Sequence, residues 1–172
     1  LPGRPPCWWS WAPAEAEEGA EADARTRDAL RTICGEAAEA GVRIGIEYEP
    51  GFRIGTASEL ATVLDALDLP ELGANFDVGH AVVAGEDPAA EIRRFAGRIW
   101  NLHIELIRGG VHFHLVPGDG DIDFSRVFEA LRETRCPAFL TLELYTMADR
   151  PDEAGRRSLD RLRALERARP TP

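Results

Sequence analysis

The sequence predicts an α/β fold: one helix followed by four parallel strand–helix units, half of an eight-stranded α/β barrel. Three observations carry this reading. The apolar runs VRIGIE, LGANFD, IWNLH and AFLTLE alternate with segments of helical periodicity. Each run ends in or beside a polar residue: Glu47, Asp77, His103 or Glu143. Successive members lie about 30, 26 and 40 residues apart, close to one strand–helix–strand repeat. Strands joined by helical crossovers are parallel and need cover on both faces. A small open sheet would gather its ligands at one switch point. Polar residues at the carboxyl end of every strand fit a barrel better.

The elements follow in order. Residues 1–13 are rich in Pro and Trp and read as loop or tail, and residues 14–168 as one partial barrel domain. From Ala14 to Ala40 the chain is rich in Ala, Glu and Arg. Leu30, Ile33, Cys34 and Ala37 share one helical face there, and Gly41 ends the helix. Val42 to Glu47 is the first strand. Thr56-Ala-Ser-Glu59 is a capping box, each side chain satisfying the other residue's free amide. Leu60, Val63, Leu64 and Leu67 form the apolar face behind it. Leu72 to Phe76 is the second strand. Asp87-Pro88 starts the next helix, with Asp as cap and Pro in the first turn. Ile92, Phe95 and Ala96 are its buried face. Ile99 to Ile104 is the third strand, followed by a Gly-rich loop. Asp123 caps a helix carrying Phe124, Val127, Phe128 and Leu131. Ala138 to Leu144 is the last strand, and Leu159, Leu162 and Leu165 mark a final helix.

Composition narrows the function. At 172 residues the chain is short for a complete barrel, typically about 250 residues. No stretch approaches the roughly 20 apolar residues that span a bilayer, so no membrane partner is expected. LPGRPPCWWSWAP has no uninterrupted apolar core and is not a secretory signal. The formal net charge is -10 and every basic residue is Arg, which argues against nucleic-acid binding. Cys7, Cys34 and Cys136 are odd in number and widely spaced. They read as reduced packing cysteines of a cytoplasmic protein.

Three carboxylates and an imidazole make a first shell for one divalent metal such as Mn, Mg, Co or Zn. A lone strand-end Glu is usually a solvated rim residue. Repetition on four strands favours ligands instead, because a bare buried carboxylate is costly. Glu49 competes with Glu47, but Pro50-Gly51 places it closer to the turn. In Asp77-Val-Gly-His80, Gly79 lets the chain turn tightly and brings His80 over the same mouth. Glu105, two residues past His103, is an acceptor that could orient that imidazole. His112 and His114 project to one side of an extended loop, where with His80 they could make a three-imidazole site; the alternative is a solvent-exposed loop. Glu143 is a ligand, a base, or both.

These residues give the chain a resemblance to the sugar phosphate isomerase/epimerase family of the xylose isomerase-like TIM barrels. The resemblance runs from about residue 26 to residue 165 and rests on GVRIGIEYEPG, FDVGH, NLHIE, HFHLVPGDGDIDF and LTLELY. It implies the C-terminal half of a (β/α)8 barrel, with metal bound by Glu47, Asp77, His103 and Glu143. It implies that Glu47 and Glu143 are the catalytic acid and base. His80 is implied as a substrate contact, with Glu105 beside it as a second candidate. The expected reaction is isomerisation or epimerisation of a sugar or related hydroxy-carbonyl compound through a metal-stabilised enediolate. The HFH loop also resembles that of endonuclease IV, with His112 where that relative has Asp, and this likeness implies a second metal at His80, His112 and His114. A multi-zinc phosphoesterase and a non-catalytic metal-binding half barrel are the alternatives. Family members carry four further strands upstream, so this chain is expected to be a fragment, completed by a missing N-terminal half or by a homodimer.

Overall fold

The computed structural model describes residues 7–10, 19–117 and 120–167. In chain order the elements are β1 (Cys7–Ser10), α1 (Ala20–Ala40), β2 (Arg43–Ile46), α2 (Ala57–Leu67) and β3 (Leu72–Asp77). Then come α3 (Val78–Val83), α4 (Pro88–Arg94), β4 (Ile99–Ile104), β5 (Leu106–Arg108) and β6 (Val111–Leu115). The chain closes with α5 (Phe124–Glu133), β7 (Phe139–Leu142), a 3-10 turn at Tyr145–Met147 and α6 (Pro151–Arg167). Five strands form one sheet in the order β1-β2-β3-β4-β7, every pair parallel. That sequential order is the arc of an α/β barrel.

The expected helix boundaries hold because their chemistry is local. Thr56 accepts from the Glu59 amide at 3.0 Å, while Glu59 Oε2 accepts from the Thr56 amide at 3.2 Å. Asp87 and Asp123 cap α4 and α5 through their carboxylates. Gly41 takes the left-handed conformation, φ 66°, that ends α1.

Period two sorts the strands into two faces. Leu72, Ala74 and Phe76 of β3 point toward the helical layer, where the Phe76 and Phe95 rings lie 5.9 Å apart. Leu102 and Ile104 join the same buried cluster with Leu60, Leu64, Ile92 and Val127. Asn75, Asp77, Asn101 and His103 share the opposite face.

Three expectations change. Residues 7–10, read as part of a tail, are a fifth parallel strand, pairing Cys7 with Arg43 through Ser10 with Ile46. The run is only four residues long and bounded by prolines, so it shows no alternation to read, although Trp favours strands. The rest of that tail and residues 14–18 of the expected helix lie outside the described residues. The second change is the segment carrying His112 and His114. It is not a loop: β5 and β6 form an antiparallel hairpin through Gly109-Gly110, both at positive φ. Third, the DVGH segment is not a bare turn but the first turn of α3, capped by Asp77.

Candidate metal centre

Glu47 follows β2, Asp77 ends β3, His103 lies near the end of β4, and Glu143 follows β7. Each therefore projects from the carboxyl rim of the sheet. One ligand atom from each of the four lies within 4.8 Å of the others. His103 Nδ1 is 3.0 Å from Glu47 Oε1, 2.9 Å from Glu143 Oε2 and 3.8 Å from Asp77 Oδ2. Asp77 Oδ2 and Glu143 Oε2 are shielded from solvent and no well-aligned hydrogen bond reaches either, although His103 Nδ1 approaches Glu143 Oε2 closely. Orphaned acceptors converging on one point are what a divalent cation satisfies, so the donor set fits the metal implied by the sequence.

Electrostatics say the same. Burial disfavours the His103 imidazolium, but its close pairing with Glu143 and Glu47 outweighs that effect and raises its pKa to about 10. Glu143 and Glu47 thus favour a positive charge beside them. His103 in turn pulls the Glu143 carboxyl below the usual carboxylate range, against the effect of burial.

Asp77 also holds the backbone. Its Oδ1 accepts from the His80 amide at 2.7 Å, fixing the start of α3. Tyr48, fully buried, clamps this segment from both ends. Its hydroxyl donates to the Asp77 carbonyl at 2.6 Å, and its own carbonyl lies 2.8 Å from His80 Nδ1. Sequence reading passed over Tyr48 because it is on the face opposite Glu47. The same alternation applied to the packing face was the available signal.

A second cluster sits beside the first. The Nε2 atoms of His80 and His112 are 3.0 Å apart, as are those of His112 and His114. His80 Nδ1 faces a carbonyl, and His114 Nδ1 faces the Glu143 carbonyl at 3.0 Å. A carbonyl only accepts, so both Nδ1 atoms carry the proton and both Nε2 lone pairs point inward. His112 Nδ1 lies 3.7 Å from Glu49 Oε1, which favours the same tautomer. Three convergent lone pairs form an all-imidazole donor set of the kind that holds zinc. Burial lowers the His114 pKa, keeping its imidazole neutral as a ligand must be.

A cavity of about 120 Å³ joins the two clusters, lined by Glu47, Glu49, His80, His112, His114, Glu143 and Tyr145. A larger, mainly apolar cleft of about 640 Å³ lies between β7, α5 and α6. Arg132, Arg135, Arg163 and Glu166 line it, but among the described residues no metal-ligating cluster lies there, so the smaller cavity is the candidate site. Glu105 is fully buried and does not line that cavity. It lies beneath the site beside Asp77, and burial together with Asp77 pushes its pKa well above the carboxylate range. A Cβ on Gly79 would collide with the Glu105 carboxylate, which explains the glycine in the DVGH turn. Among the described residues no helix is long and apolar enough to cross a membrane.

Known proteins share this architecture. The IOLI protein, solved with a bound zinc atom, superposes with a TM-score of 0.78 at 18% identity, over 93% of this chain and 62% of that one. A D-tagatose 3-epimerase-like protein gives a TM-score of 0.72 at 25% identity, covering 92% and 62%. Among curated sequences, the inosose dehydratase of Lacticaseibacillus casei is 28% identical over 136 residues, 69% of this chain and 46% of that protein. The chain thus spans about half the length of the curated relatives it matches. The family model described as xylose isomerase-like TIM barrel matches residues 1–165, and the chain belongs to that family.

Proposed function

We propose that this chain carries the metal and acid–base centre of an isomerase or epimerase acting on a sugar or related hydroxy-carbonyl compound. The observation behind it is the placement of Glu47 and Glu143. Their carboxylates approach one nitrogen, His103 Nδ1, from two different strands, at 3.0 and 2.9 Å. Both also line the cavity. A substrate carbon held there meets one carboxylate that removes the proton alpha to its carbonyl and another that returns it. A bound divalent cation would polarise that carbonyl. His80, with its Nδ1 anchored, presents Nε2 to the cavity as a fixed contact for substrate oxygen. Loss of water beta to a carbonyl can also begin with alpha-proton removal, so the centre is compatible with the dehydration for which the curated relatives are named.

The test is solvent exchange. The chain is stripped with chelator, reloaded with Mn²⁺, Mg²⁺, Co²⁺ or Zn²⁺, and incubated in D2O with ketohexoses and a keto-inositol. Metal-dependent deuterium incorporation alpha to the carbonyl is expected. Its absence across the whole panel removes the reading.

The three convergent imidazoles favour a second reading, a multi-zinc phosphoesterase. Metal analysis separates the two. One tightly held ion per chain, unchanged in His112→Ala, supports the isomerase. Two or more zinc ions, one of them lost in His112→Ala, support the hydrolase.

A further inference from the structure

We propose that Asn75, Asn101 and Thr141 form a hydrogen-bonded ladder that orients the Glu47 carboxylate and thereby sets the affinity of the metal centre. The proposal rests on reading Glu47 as a ligand. Asn75 Nδ2 donates to Glu47 Oε2 at 2.9 Å. Asn101 Nδ2 donates to Asn75 Oδ1 at 2.8 Å, and the Thr141 hydroxyl donates to Asn101 Oδ1 at 2.9 Å. The rungs lie on β3, β4 and β7, one on each strand, and each stands two residues before that strand's ligand. With a side-chain period of two they form the next layer down, beneath Asp77, His103 and Glu143. The Asn75 end is fully buried, whereas Thr141 is exposed.

The direction of the ladder follows from chemistry alone. An ionised carboxylate only accepts, so Asn75 must present its amide N–H to Glu47. Its oxygen then faces Asn101, which must donate, and the Asn101 oxygen is left for the Thr141 hydroxyl. With Oε2 engaged from below, Oε1 is the oxygen turned toward His103 Nδ1. The Asn75 nitrogen also lies 3.4 Å from His103 Nε2, so one amide borders two ligands. Gly45 keeps the neighbouring strand close, since a Cβ there would stand 3.2 Å from the Asn75 backbone nitrogen. Asn75 touches no substrate position; it is a positioning residue.

Asn101→Asp tests this. That substitution places an acceptor opposite Asn75 Oδ1 and turns the Asn75 amide, pointing its oxygen at Glu47 Oε2. The ladder predicts Mn²⁺ affinity weakened about 10–100-fold, the usual effect of losing a partner behind a ligand. Simple Coulomb attraction predicts the reverse, because the change adds negative charge near a cation site. Affinity is read by calorimetry with Mn²⁺ alone, and folding by thermal melting. The second readout needs no metal: the Asn75 side-chain amide resonance, expected to shift in Asn101→Asp and, by polarisation along the chain of bonds, in Thr141→Val. Thr141→Val lies on the exposed end and covers the case in which Asn101→Asp does not fold. Equal or tighter Mn²⁺ binding in Asn101→Asp, or an Asn75 amide unmoved in both variants, overturns the proposal. A wild-type chain that binds no Mn²⁺ would instead sink the ligand reading, and the amide resonance would judge the ladder by itself.

Discussion

Glu143→Gln is expected to slow exchange of the substrate's alpha proton with solvent by about 10²–10⁴-fold, the usual contribution of a positioned acid or base. The amide keeps the size of the carboxylate and one oxygen for the cation, but cannot take up a proton and return it. Glu143 is the more open of the two paired carboxylates, with 31% of its side chain exposed against 3% for Glu47. It is therefore the more accessible of the two to substrate. Metal stoichiometry at saturating Mn²⁺ should be preserved, since Glu47, Asp77 and His103 remain. Exchange at the wild-type rate in a metal-loaded Glu143→Gln chain would exclude Glu143 as acid or base.

Asp77 separates binding from folding. Asp77→Asn keeps an oxygen to accept from the His80 amide, so α3 stays capped. It removes one anionic ligand, and Mn²⁺ affinity should fall by more than the roughly 10–100-fold lost with a partner behind a ligand. Asp77→Ala loses the cap as well and should cost about a further 0.5–2 kcal/mol of stability. Urea titration of both metal-free variants reads the difference. Equal stability would show that the cap contributes nothing, and unchanged affinity in both would remove Asp77 from the ligand set.

Much of this centre was legible in the chain because it obeys short-range rules. Caps such as Thr56 with Glu59 involve residues three apart, and strand ends are marked by polar residues closing apolar runs. The spacing of Glu47, Asp77, His103 and Glu143 matched one repeat, and parallel pairing then brings such positions to a common rim. The strand at Cys7–Ser10 was not legible, since it gains its identity from pairing with β2. The hairpin bearing His112 and His114 was masked by its Gly-rich connection, which reads equally well as a loop. The ladder had a signal, polar residues two positions before each ligand, but an isolated Asn in a strand carries no direction.

The sequence by itself determined the family, the four strands that carry the ligands with the main helices between them, and the four polar residues that converge on one point. These depend on periodicity and on chemistry within a few residues. Tertiary structure alone decided which lone pairs face inward. The tautomers of His80 and His114 are set by the carbonyls of Tyr48 and Glu143, which are 32 and 29 residues away along the chain. The orientation of Glu47 is set by an amide on the next strand. A side chain's type is written in the chain, but the partner that fixes its proton and its direction is supplied only by packing.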